Sequence, residues 1–373
     1  MRFTVASRCG PARTGLLQVR GQQIRTPAFM PVGTRAAVKG VEPEALERMG
    51  YRLILANTYH LLVRPGPEFI RQLGGLHRFM SWDGAILTDS GGFQAFSLSG
   101  LSRISEEGVE FRSHLDGSRH RLTPERTVEV QEIYGSDVIM PLDVCLGLPA
   151  SREALIEAVQ RTTRWLARSV AAWREQDRHA LFGIVQGGTE EDLRIAHAQQ
   201  LAELDLPGYA VGGLSVGEKN EEMHAVAGLT ASHLPPHRPR YLMGVGTPED
   251  LVACARQGID LFDCVLPTRT ARTGRLCTRF GDVIIKNARH AADPGPLDPS
   301  CSCETCRRYS RAYLRHLFLN RDPLAVRLHT VHNLSYYATL MEEIRRAIEQ
   351  GEVERFLARF REDRSRWGVR KKG

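Results

Sequence analysis

The strongest constraint on how this chain can fold is a repeated pattern. Eight short apolar runs occur in order: "PAFMPVG", "RLILANTYH", "AILTDSGG", "DVIMPLDVC", "LFGIVQGG", "YAVGGLS", "YLMGVG" and "LFDCVLP". Most are followed by a segment whose apolar residues recur at three and four, as in "EPEALERMG", "TPERTVEVQEIYG", "SREALIEAVQRTTRWLARSV" and "TPEDLVACARQG". That spacing marks amphipathic helices. Thr123, Ser151 and Thr247 stand where N-caps belong, and two of them precede a proline at the first helical position. Strand–helix alternation requires a parallel sheet, and eight repeats predict a closed (β/α)8 TIM barrel of the α/β class.

Three segments interrupt the pattern. Residues 1–25 read as a β-hairpin lid ahead of the first barrel strand. Residues 100–122 read as a second hairpin turning at Asp116-Gly117. Residues 276–333 hold a cysteine cluster where the eighth helix should begin, so that helix is expected over 334–360. The expected division is a barrel body over 1–275, a zinc-binding insertion over 276–333, and the last barrel helix with a charged tail over 334–373.

With 373 residues the chain can bury a sizeable core. Its formal charge of +7 suits a polyanionic partner without demanding one. No apolar run approaches the ~18–20 residues needed to cross a bilayer. The start, "MRFTVASRCGPARTG", lacks the apolar core of a signal peptide. A cytoplasmic protein with reduced cysteines is expected. Three of the eight cysteines crowd into "CSCETC". Cys301, Cys303 and Cys306 with His332 form a donor set suited to tetrahedral zinc, and four protein ligands make such a site structural. His329 competes with His332 as the fourth ligand.

In a barrel, functional groups gather at the C-terminal ends of the strands. Here those ends carry Asp89, Asp143, Gln186, Gly212, Gly213, Met243 and Asp263, with Phe93 close by. Singly, each has an ordinary structural explanation: a turn cap, a barrel ion pair, a core side chain. Together, three mutually repelling carboxylates at one mouth need a functional reason. A carboxylate pair suits glycosidic-bond chemistry. A third suits guanine, whose ring N–H and amine present two donors. Gln186 and the Gly213 amide could meet the guanine carbonyl, and Phe93 and Met243 could sandwich the ring. No strand ends in lysine and no His-x-His follows the first strand, which counts against Schiff-base and metal-hydrolase chemistry.

"TDSGGFQ", "GIVQGG", "YAVGGLSVGE", "RYLMGVG", "FDCVLPTR" and the Cys-x-Cys-x-x-Cys…His set, in this order, resemble the bacterial tRNA-guanine transglycosylase family across nearly the whole chain. The resemblance implies a barrel with a zinc subdomain. It implies exchange of guanine at the wobble position of G-U-N tRNAs (Asp, Asn, His, Tyr) for 7-aminomethyl-7-deazaguanine. It implies Asp263 as nucleophile and Asp89 as general acid/base. Asp143, Ser90, Gln186, Gly213 and the Leu214 backbone would hold the base between Phe93 and Met243, and Glu218 would steady the Leu214 peptide. Arg269, Arg272 and Arg275 follow at the spacing of a phosphate-gripping loop, or else form a solvated basic loop. A homodimer is implied as well. Cys145 and the chain length favour the bacterial type over the eukaryotic one.

Two residues depart from the family pattern. Val144 stands where many members carry glutamate, and Ala95 where a larger aliphatic is common. Two rival readings exist. A glycosidase-like barrel acting on free nucleosides leaves the basic loop and the cysteine insert without a purpose. A non-catalytic RNA-binding subunit should lack the nucleophile, yet Asp263 and Asp89 are both present.

Overall fold

A computed structural model describes residues 1–94 and 102–369, the side chains of 366–369 excepted; Ala95 lies outside the described residues. Eight parallel strands close into a barrel. In chain order they are β1 (Ala28–Gly33), β2 (Leu53–Ala56), β3 (Ala85–Thr88), β4 (Val138–Ile139), β5 (Ala180–Val185), β6 (Gly208–Val211), β7 (Arg240–Leu242) and β8 (Leu261–Cys264). Closure comes from β8 pairing with β1, Asp263 opposite Met30. The strands are buried along their length, because helices cover the outside and side chains fill the inside. Helix starts follow the predicted caps. Thr123, Ser151 and Thr247 each accept from the backbone N–H three residues on, at 3.2, 3.2 and 3.1 Å.

The N-terminal lid is a three-stranded sheet, Arg2–Cys9, Ala12–Val19 and Gln22–Thr26, and not a single hairpin. It closes the floor of the barrel. Leu17, Val19 and Ile24 pack with residues from the starts of the strands, among them Leu53, Ala85 and Leu261. Arg13 locks it there: its fully buried guanidinium grips Asp260, just ahead of β8, and donates to the carbonyls of Pro236 and Arg238 at 2.7 Å each. The mouth at the other end is left open.

The hairpin predicted around Asp116-Gly117 forms from Val109–Arg112 and Arg119–Leu122, with Arg103–Ile104 as a third strand. Its inner residues Val109, Phe111 and Leu122 pack on Tyr59, Leu142, Val144 and Trp165. The last long helix runs over Pro323–Glu349, so it starts earlier than residue 334. It does not continue to 360, because Gly351 at φ 71° turns the chain before a further helix opens at Val353. His332 therefore sits well inside a helix. No helix among the described residues is long and apolar enough to cross a membrane.

Candidate active site at the barrel mouth

Asp89 and Asp263 end strands β3 and β8 and line one cavity of about 200 Å³. Asp143, Ser90, Gly212, Gly213, Leu214, Met243 and Phe93 line it with them. Gln186 reaches it through Asp143. The sequence could not have shown that separated strand ends meet this closely; barrel closure decides it.

Each carboxylate is held by donors. Asp89 accepts from the Thr58 N–H at 2.9 Å and from the Asn57 side chain at 2.5 Å. Asn57 itself caps the helix Thr58–Val63 through His60 N at 2.9 Å, so one residue orients both a helix and an acid. Burial and the charge of Asp263 push the Asp89 carboxyl up to about 7 against the pull of Thr58. Asp263 accepts from the Tyr241 hydroxyl at 2.6 Å and the Gly244 N–H at 2.7 Å. Burial raises its pKa as well, and these two donors restrain the rise. Asp143 accepts from Gln186 Nε2 at 2.7 Å and Ser90 Oγ at 3.3 Å, and burial lifts it to about 6.

The floor of the base-sized space is backbone. Gly213 has φ 63°, in the left-handed region that favours glycine, and a Cβ there would stand 2.2 Å from Gln186 Oε1, so a larger residue would displace the Gln186 side chain from its place beside Asp143. Arg194, fully buried, donates to the carbonyls of Val185 (3.1 Å), Gly212 (2.7 Å) and Gly213 (3.2 Å), and holds this turn from behind. Those bonds turn the carbonyls away from the cavity. Glu218 accepts from the N–H groups of Ser215 and Val216, which orients the Leu214–Ser215 peptide. His197 Nδ1 accepts from Gln186 N at 3.0 Å, and burial keeps the imidazole neutral by moving its pKa down to about 4. Asn57, Tyr241, Arg194 and His197 were not legible as site residues. Tyr241 alone carried a signal, one place before Leu242 in a strand whose end was already suspect.

Val144 does not line the cavity. It is buried against Tyr59 and Trp165 under the hairpin, where a glutamate would lie in an apolar cluster. Cys145 does line it, with its thiol pushed up to about 12 by burial, so it is a neutral wall and not a nucleophile.

Arg269 and Arg272 lie one turn apart on the short helix Leu266–Arg272 that follows β8. Arg269 is exposed, while Arg272 donates to its own helix at Thr268 O, 2.9 Å. Arg275 is engaged by Asp282 on the neighbouring strand. Lys39 and Arg35, unremarked in the sequence, add positive charge beside Arg272. Burial and the guanidinium charges of Arg272 and Arg35 lower the Lys39 pKa.

The sulfurs of Cys301, Cys303 and Cys306 and a ring nitrogen of His332 lie within 4.8 Å of one another and could hold a metal ion. The other ring nitrogen, Nε2, is 2.8 Å from Cys277 O. That bond leaves Nδ1 as the free lone pair facing the sulfurs. His329, one turn earlier, points elsewhere: its Nδ1 is 3.3 Å from Ala271 O and its ring lies against Phe318.

A parallel barrel with buried carboxylates and a carboxamide around one mouth cavity is the architecture of a barrel enzyme, and the carboxylate pair suits work on glycosidic bonds. The model of the family described as Queuine tRNA-ribosyltransferase matches residues 8–366. The Queuine tRNA-ribosyltransferase of Thermoanaerobacter sp. (strain X514) is 53% identical over 349 residues, 94% of this chain and 93% of the relative. That of Desulforapulum autotrophicum is 54% identical over 356 residues, 95% of this chain and 96% of the relative. That of Jannaschia sp. (strain CCS1) is 52% identical over 363 residues, 97% and 96% of the two chains. The chain belongs to the queuine tRNA-ribosyltransferase family, and it is a pentosyltransferase.

Proposed function

We propose that this enzyme replaces guanine at the wobble position of tRNAs with G-U-N anticodons (Asp, Asn, His, Tyr) by 7-aminomethyl-7-deazaguanine, in queuosine biosynthesis. The observation that carries the reading is the meeting of Asp89, Asp143 and Asp263 at one base-sized cavity in a member of this family.

The target nucleotide leaves its stack and enters the cavity, at a cost of about a few kcal/mol. A carboxylate oxygen of Asp263 attacks C1′ of the ribose. The bond from C1′ to the guanine nitrogen breaks, and its electron pair leaves with the base, which takes the proton of Asp89. The Asp263–ribose ester holds the tRNA while the bases exchange. The incoming deazaguanine returns a proton to Asp89 as its ring nitrogen attacks C1′, and Asp263 departs as carboxylate. Asp89 suits both halves because its pKa near 7 lets it hold or release a proton at neutral pH. Asp143 accepts the donors of the guanine edge. Gln186, the Gly213 N–H and the Leu214 peptide meet the rest, with Phe93 and Met243 on the two faces. Arg269, Arg272 and Arg275 grip tRNA phosphates, so binding is salt-dependent.

Zinc is the ion we assign to Cys301, Cys303, Cys306 and His332. Three thiolates and an imidazole suit it and leave no open position, so its role is to tie the Cys301–Cys306 segment to the helix Pro323–Glu349 through His332. We assign a homodimer and a cytoplasmic location on the strength of the family resemblance.

Incubation with a G-U-N tRNA and labelled guanine, followed by denaturing electrophoresis, tests the reading. Label should enter the tRNA, and a protein–tRNA adduct should be trapped. In Asp263→Ala both should vanish while tRNA affinity stays near wild type. Equal exchange on free guanosine and on tRNA would remove tRNA as the substrate.

A further inference from the structure

We propose that the outward face of the hairpin Val109–Leu122 is a second binding surface for the phosphate backbone of the tRNA, carried by Arg112 and Arg119. The proposal rests on the tRNA reading above and extends it to a surface outside the site.

The strand register places Arg112 directly opposite Arg119. Side chains opposite one another in an antiparallel pair stand about 4.5–5.5 Å apart at Cβ, and like charges there destabilise the sheet. Nothing relieves the pair: among the described residues neither arginine makes an ion pair or a side-chain hydrogen bond, and both are exposed. Arg103 and Arg121 share the same face, with Glu110 between them in register as the one acid. The acids around the hairpin are engaged elsewhere. Glu106 is held by Arg164 at 2.8 Å, Glu125 by Arg168 at 2.7 Å, and Asp116 takes the Ser118 hydroxyl at 2.7 Å. Residues 95–101, "AFSLSGL", contain no acid that could reach the face.

Alternation makes the face what it is. Val109, Phe111 and Leu122 point inward onto Tyr59, Leu142 and Val144, so the hairpin is bolted to the mouth beside Asp143. The arginines necessarily point out, flanking an open groove of about 530 Å³. Arg112 and Arg119 are a closely spaced pair of guanidinium groups that no carboxylate engages; Glu110, the one acid lining the groove, is 3.7 Å from Arg121. Such a pair, on a ribbon packed beside Asp143, suits the phosphates of a nucleic-acid strand.

The test is equilibrium binding of a fluorescently labelled G-U-N tRNA across a salt series, with Arg112→Gln/Arg119→Gln and Arg119→Glu beside the wild type. The double variant should bind about tenfold more weakly, and its slope of log K against log salt should be shallower by about 1–2, roughly one for each phosphate no longer gripped. Arg119→Glu turns the like-charge pair into an opposite-charge pair. Its melting temperature should hold or rise while its tRNA affinity falls. Wild-type slope and affinity in both variants would overturn the proposal, as would a fall in melting temperature with the slope unchanged. If wild-type enzyme itself bound no tRNA, the failure would lie with the functional reading.

Discussion

The hydroxyl of Tyr241, on β7, donates to Asp263 on β8 at 2.6 Å, so neighbouring strands fix the acid's position before any substrate arrives. The bond favours the charged form that a nucleophile needs. Loss of the hydroxyl should therefore raise the Asp263 pKa. Tyr241→Phe is expected to lower kcat by about 10- to 100-fold, as for loss of a charge-assisted hydrogen bond worth roughly 1.5–3 kcal/mol. The acid limb of kcat/KM should move to higher pH, because more base is then needed to ionise Asp263. An unmoved limb in a full pH–rate profile would separate Tyr241 from the nucleophile.

In the proposed mechanism Asp89 is the main contributor to the alkaline side of that profile. Its pKa near 7 means that the acid form needed to protonate departing guanine is lost above neutrality. The two limbs report the carboxylate pair jointly. Asp89→Asn should abolish the alkaline limb together with most turnover, measured as guanine exchange against pH.

Burial lifts the Asp143 carboxyl to about 6, and we expect base recognition to need its charged form. Affinity for free guanine should weaken as pH falls below about 6, and Asp143→Asn should remove that dependence and weaken binding at neutral pH. Calorimetric titration measures both. The melting temperature should hardly change, because the substitution keeps the shape of the side chain and relieves a buried charge.

At the opposite end of the barrel, Asp260 and Arg13 are both fully buried and paired. Burial pushes the Asp260 carboxyl up while Arg13 pulls it down. Asp260→Ala leaves the Arg13 guanidinium without its counter-charge, and the expected loss is roughly 3–5 kcal/mol in a denaturant titration. Loss below about 1 kcal/mol would mean that the Arg13–Asp260 ion pair adds little to the apolar packing and to the Arg13 bonds with the Pro236 and Arg238 carbonyls that hold the floor sheet.

Removal of the metal should be felt mainly in the segment that the cysteines gather. Chelation or Cys303→Ser is expected to lower the melting temperature by several degrees and to speed hydrogen exchange in Glu304–Arg308 and Arg311–Leu319. Unchanged melting would deny the ion a structural role.

Local pattern made much of this molecule readable. Short apolar runs and helical spacing at three and four revealed eight strands and their helices, and the N-caps at Thr123, Ser151 and Thr247 act within a few residues of themselves. The Cys-x-Cys-x-x-Cys run announced its cluster because its donors are close in sequence. The late helix was misjudged at both ends: Asp322 caps its start at Leu324 N, and Gly351 ends what the apolar pattern carried onward.

Strand ends told which residues could act, while only tertiary structure decided which of them meet. The pairing of β8 with β1, the hydroxyl of Tyr241 on Asp263, and the guanidinium of Arg194 behind Gly212 join residues distant in sequence. The floor position of the N-terminal sheet was equally hidden, since an amphipathic ribbon fits either end of a barrel until Arg13 finds Asp260. The physical reason is the same throughout. Periodicity and capping are short-range consequences of backbone geometry, whereas the cavity, its shifted carboxyls and its buried ion pairs are created by closure of the barrel, which removes water from groups that the chain keeps far apart.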